Sequence, residues 1–161
     1  MKWHITLLEK VIILLAFGCL LGIMYLALNP IIHITKPADS TRWNDVLLLS
    51  HALVVERIEN QGELSAELTA LHSDTPYLIG SGSDCSEYFS RCPKAPDEPF
   101  ACITLNSLVT GKYIKVLPVA PSEMVLWSDN VTGYYLIKNS NDTLTVGACE
   151  VDGDNEVAVT R

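Results

Sequence analysis

The sequence predicts an α+β fold in which a long N-terminal helix packs on a three- or four-stranded antiparallel sheet. The first half of that helix is expected to span a membrane and the second half to be amphipathic. Three observations predict it. Val11 to Leu28 runs 18 residues without a charge. From Trp43 onward, apolar residues recur at helical spacing. In the last quarter of the chain, short runs rich in Val, Tyr, Leu, Ile and Thr alternate with turn residues.

The N-terminal run spans about 27 Å at ~1.5 Å rise per residue, close to the hydrocarbon thickness of a bilayer. It shows no polar face, as a soluble core helix of that length would. It is also longer than the ~7–15 apolar residues of a cleaved secretory signal, and it closes on Asn29-Pro30 rather than on a small-residue cleavage site. Residues 5–28 are therefore expected to be a retained transmembrane and assembly helix. Glu9 and Lys10 lie near its start, where a charge costs less than at mid-bilayer and long side chains reach water.

The string ITLLE followed by an apolar helix, with Gly18 in its middle and Asn29-Pro30 at its end, resembles the N-terminal segment of type IV pilins and pseudopilins. The similarity continues through LNPIIHITKPADSTRWNDVLLLSHAL, which resembles the juxtamembrane helix of small bacterial pilin-like proteins. The resemblance implies that Ile5 is the first mature residue and Glu9 the family's glutamate, which offsets a neighbour's N-terminal amine inside a filament. His4 stands where the family has a glycine, so cleavage of the short leader-like segment, residues 1–4, is not predicted. Lys10, Pro37 and Ala120 are further departures from the family's pattern, and Ala120 replaces an acid that would favour ion binding.

The chain holds 161 residues with a formal net charge of −8, and the acidity lies mostly beyond the apolar segment. No basic patch is visible, which argues against nucleic acid or anionic lipid as the domain's main partner. Lys2 and Lys10 flank the N-terminal side, so the N-terminus is expected in the cytoplasm and the C-terminal domain outside.

Pro30 and Pro37 bracket IIHITK, where kinks or a break are expected, and Asp39-Ser40-Thr41 offers N-cap oxygens for a renewed helix. In this juxtamembrane helix, within residues 29–62, Val46, Leu49 and Leu53 form the docking stripe, flanked by Leu47, Val54 and Ile58. Asp45, Glu56, Arg57 and Glu59 are assigned to the other side. The helix is expected to end near Gly62. Residues 63–161 form the exported globular domain. ELSAELTALHSD reads as a short helix, SGSDCSEYFSRCPKAPDEP as a loop stapled by cysteines, and Cys102 to Leu108 as a helical turn. Strands are expected at 124–128, 133–138, 143–148 and 156–160, with connections too short for crossover helices.

Cys19 reads as a packing residue. Cys85, Cys92, Cys102 and Cys149 form an even set in the exported part, and four cysteines allow three connectivities. Cys85 with Cys92 and Cys102 with Cys149 is favoured, and the others stay open. A zinc site ranks low because no C-x-x-C knuckle is present. Catalytic signals are thin, with four scattered histidines and no G-x-S-x-G, H-E-x-x-H or P-loop, so no enzyme is expected. No cofactor is expected; Asp152 and Asp154 offer a weak calcium site, less favoured than a solvated turn. Asn130-Val-Thr and Asn141-Asp-Thr match the N-glycosylation acceptor pattern.

The expected function is a structural subunit of a type IV pilus-like or pseudopilus filament. Its partners would be copies of itself, the membrane before assembly, and the pilus or secretion machinery. The alternative is a signal-anchored exported binding or adhesion module that does not polymerise.

Overall fold

The computed structural model describes residues 7–28, 37–81, 85, 88, 91–92, 102–122, 126–151 and 156–161, and within the first helix the side chains of residues 10–21 and 24. The chain divides into two compact units, Met1–Thr35 and Lys36–Arg161. The first contains helix α1 (Leu7–Leu28). The second contains helices α2 (Pro37–Glu59), α3 (Ala66–Thr69) and α4 (Asn106–Thr110). It also holds strands β1 (Pro76–Ile79), β2 (Cys102–Ile103), β3 (Tyr134–Lys138), β4 (Leu144–Ala148) and β5 (Ala158–Thr160).

Two parts of the predicted fold are corrected. Among the described residues, no helix is long and apolar enough to cross a membrane. The expected single-pass location, with a cytoplasmic N-terminus, is not supported. The long helix with two functional halves is replaced by separate helices, and α2 belongs to the same unit as the sheet. Pro37 opens α2 instead of kinking a longer helix, because its missing N–H and fixed φ suit a first turn. The expected caps Asp39, Ser40 and Thr41 accordingly lie inside α2.

The second correction concerns the sheet. It has five strands in the order β2-β1-β3-β4-β5, and β1 pairs with β2 in parallel. The remaining pairs are antiparallel, with Tyr77 opposite Leu136, Leu136 opposite Val146 and Val146 opposite Val159. The sheet is therefore mixed. The predicted runs at 133–138, 143–148 and 156–160 became β3, β4 and β5. Near 124–128, only an isolated bridge between Ser128 and Val131 forms among the described residues. Strands β1 and β2 escaped the pattern because β1 is buried at all four positions and β2 is two residues long. Neither shows the alternation that marks a half-buried strand. The predicted helical turn at Cys102 to Leu108 divides into β2 and α4, and the short helix near Leu68 is the single turn α3.

Helix α2 packs on β4 and β5 and touches α4. Val46, Leu49, Ala52 and Leu53 are its buried apolar positions and belong to one core with Tyr134, Leu136 and Val146 of the sheet. Its end is capped by left-handed residues: Gln61 and Gly62 have φ of 60° and 94°, and Gly62 N–H donates to the Arg57 carbonyl at 2.7 Å. The expected stop near Gly62 is the observed one. Gly147 lies under the Tyr135 ring, where a Cβ would collide with it.

Candidate functional site

The features that bear on function are an exposed apolar helix, a second apolar face on α2, a polar network beneath α2 and two disulfides. In α1, Val11, Ile12, Ile13, Leu14, Leu15, Phe17, Leu20, Leu21 and Met24 are 48–71% exposed. At 100° per residue, Val11 to Leu15 alone point around the whole circumference. Among the described side chains from Val11 to Leu21, the helix therefore has no polar face to present to water. Glu9 lies within α1, and its side chain is not among those described; Ile5 lies outside the described residues.

On α2, Trp43, Leu47, Leu48 and Ile58 are 38–69% exposed. Leu47 and Ile58 thus flank the docking stripe on its outer side and are not part of the core. The polar positions are also redistributed. Glu56, assigned to the outer side, is 4% exposed. Asp45, also assigned there, accepts a hydrogen bond from the Tyr134 hydroxyl at 2.5 Å. Helical spacing locates a stripe, but it does not say how wide a stripe the sheet and loops will cover.

Arg42 is 3% exposed at the start of the docking face. Its Nη1 donates to Asp39 Oδ1 at 2.6 Å and its Nη2 donates to the Pro121 carbonyl at 2.7 Å. Glu150 Oε2 lies 3.9 Å from Nη2. The first three turns of α2 are thereby tied to the segment around Pro121, to β3 through Asp45 and Tyr134, and to the residue following Cys149. The other end of α2 is tied by Arg57, whose Nε donates to the Gly62 carbonyl and Nη1 to the Asp142 carbonyl. Tyr113 donates to Glu59 Oε2 at 2.7 Å. Arg42 went unread in the sequence, as did the contacts that Asp45, Arg57 and Glu59 make with other elements. The available signal was Arg42 itself, one turn before Val46 on the core face.

Burial raises the Asp45 carboxyl above its ordinary pKa, and the Tyr134 hydrogen bond offsets this in part. Burial, reinforced by hydrogen bonds to Asp45 and Glu156 respectively, raises the Tyr134 and Tyr135 hydroxyls above theirs. Both raised tyrosines act in the same direction. Below pH ~10 both stay protonated whether folded or unfolded, so their contribution is complete. Above pH ~10 the unfolded chain releases protons that the folded chain retains. Stability is expected to fall there by at most about 1.4 kcal/mol per pH unit for each tyrosine. Urea unfolding at pH 9 and pH 11 checks this, and Tyr134→Phe combined with Tyr135→Phe should flatten the dependence.

All four expected cysteines are in disulfides, and the favoured pairing is corrected. Cys85 bonds Cys102 and Cys92 bonds Cys149, with Cα atoms 5.6 Å and 4.3 Å apart. The reason is topological. Cys102 opens β2 beside β1, and Cys149 directly follows β4. The connection between β1 and β2 is thus fastened to β2 by one bridge and to the far side of β3 by the other. The disulfides point to an oxidising, exported setting. Cys19, in α1, is an exposed free thiol.

Among the described residues, no group of three or more His, Cys, Asp or Glu is placed to hold a metal. Asp152 and Asp154 lie outside the described residues, as do His4 and His33. His51 and His72 are exposed. A cavity of about 30 Å³ lies between α2 and β4, lined by Leu53, Val54, Leu144 and Val146 with Arg57 and Arg161 beside it. That is room for about one or two waters. The chain matches no protein-family model, no curated protein and no solved structure.

Proposed function

We propose that the chain is a structural subunit of a type IV pilus-like or pseudopilus filament, assembling with copies of itself through α1. The observation that carries this reading is the exposure of the apolar side chains on all sides of α1 from Val11 to Leu21, and of Met24. A helix that is apolar on every side is stable when something covers it, and identical helices bundled together supply such a cover. Burying each large side chain contributes roughly 1.5–3 kcal/mol. The exposed face of α2 adds apolar surface to each subunit. The disulfide-bonded domain is then the part carried on the outside, and its acidic balance keeps it soluble. The ITLLE string and its Glu9 support the same reading by resemblance.

Glu9→Ala is expected to lower filament yield several-fold while the level of folded subunit stays the same. Cells producing the chain with its assembly machinery are sheared, the released material is viewed by electron microscopy, and subunit is quantified by immunoblot. Normal filament yield from Glu9→Ala rejects the role of Glu9. A chain that remains a lone species in the presence of the machinery rejects the filament and favours a monomeric binding or adhesion module.

A further inference from the structure

The chain carries two Asn-Xaa-Thr acceptor patterns, and the fold treats them in opposite ways. We propose that Asn141 is an N-glycan acceptor site of the folded chain and that Asn130 is not.

Asn141 is exposed in the hairpin loop between β3 and β4, beside exposed Ser140 and Asp142. Its Oδ1 accepts hydrogen bonds from the Thr143 N–H at 3.2 Å and from Thr143 Oγ1 at 2.7 Å. Asn139 Nδ2 donates to Thr143 Oγ1 at 2.8 Å. Thr143 Oγ1 thus receives one proton from Asn139 and turns its own toward Asn141. The Asn141 carboxamide is held by its oxygen, and among the described residues no hydrogen bond engages its nitrogen. A donated proton at Oδ1 polarises the carboxamide, and the threonine of the pattern is already beside the asparagine. Asp142, with φ of 59°, closes the turn, and Arg57 holds the Asp142 carbonyl at 2.9 Å.

Asn130 is also exposed, but the threonine of its pattern is closed off. Its threonine, Thr132, is 0% exposed. Thr132 Oγ1 donates to the Ile79 carbonyl at 2.7 Å and accepts from the Tyr134 N–H at 3.4 Å. The Asn130 carbonyl lies against Gly80, occupying the place a Cβ would need. A transferase that must grip the threonine hydroxyl would have to pull this segment away from β1.

The donor class is a lipid-pyrophosphate-linked oligosaccharide, presented by an oligosaccharyltransferase in the oxidising compartment where the disulfides form. Asn141 Nδ2 attacks the anomeric carbon and forms the C–N bond. The bond from that carbon to the phosphate oxygen breaks, its electron pair leaving with the lipid pyrophosphate. The amide proton passes to a base of the transferase. No oxidation or reduction is involved, and the site does not depend on α1 or on polymerisation.

The test uses the full chain, purified folded and with both disulfides formed. It is incubated with a transferase that requires only Asn-Xaa-Ser/Thr and with its lipid-linked donor, then read by intact mass and peptide mapping. One glycan per chain, at Asn141, is expected. Asn141→Gln and Thr143→Ala should abolish the mass shift, whereas Asn130→Gln and the hydroxyl-retaining Thr143→Ser should keep it. Near-UV circular dichroism confirms that each variant is folded. Absence of a glycan on the folded parent chain overturns the proposal, and so does occupancy of Asn130 equal to or above that of Asn141.

Discussion

Replacing Cys92 and Cys149 by serine is expected to lower the unfolding free energy by about 4 kcal/mol, against about 3 kcal/mol for replacing Cys85 and Cys102. The difference follows from sequence separations of 57 and 17 residues. Each bridge restricts the unfolded chain, and a longer closed loop loses more conformational entropy when it is cross-linked. The larger figure is a substantial share of the ~5–15 kcal/mol typical of a domain. The Cys92–Cys149 bridge also fastens Cys92, in the β1–β2 connection, to the residue that follows β4, so its loss removes that long-range tie. Urea unfolding of each double serine variant, in otherwise oxidised protein, measures both losses. An equal or reversed order would show that native contacts, not loop closure, set the contribution of each bridge. Non-reducing peptide mapping checks the pairing itself.

Leu49→Ala is expected to cost about 3–5 kcal/mol, while Trp43→Ala, on the same helix, should stay within about 0.5 kcal/mol. Leu49 is fully buried beneath α2, whereas Trp43 is 38% exposed. Truncation at Leu49 removes apolar contact and leaves a cavity that Val46, Leu53 and Val146 fill only in part, because the sheet and the Arg42 and Arg57 anchors hold α2 at fixed height. Truncation at Trp43 leaves a surface that water covers. Chemical unfolding of the two variants measures the contrast. If Trp43→Ala cost as much as Leu49→Ala, the outward face of α2 would be packed against its own domain and would not be free to join a partner.

The same contrast shows where sequence reasoning stopped. Val46, Leu49 and Leu53 were legible as a docking stripe because a 3.6-residue period is a property of the chain alone. The exposure of Leu47 and Ile58 and the burial of Glu56 were not. They depend on the breadth of the surface that β4, β5 and α4 present to the helix. Arg42 engages a carboxylate three residues away, a carbonyl at Pro121 and a carboxylate at Glu150, and only the first of these is local in sequence. Similarly, turn chemistry at Asn139 to Asp142 announced the β3–β4 hairpin, whereas β1 and β2, brought side by side across an intervening cysteine-rich connection, gave no periodic signal.

The amino-acid sequence by itself determined that α2 exists and stops near Gly62, that three antiparallel strands close the chain, and that Cys85, Cys92, Cys102 and Cys149 end in disulfides. Each of these follows from spacing, turn residues or an even set of cysteines. The tertiary structure alone decided the parallel β1–β2 pair, the crossed cysteine pairing, the buried Arg42 network and the unequal burial of Thr132 and Thr143, the threonines of the two acceptor patterns. These depend on which distant segments the closed sheet brings within bonding distance, and residues tens of positions apart carry no local mark of meeting.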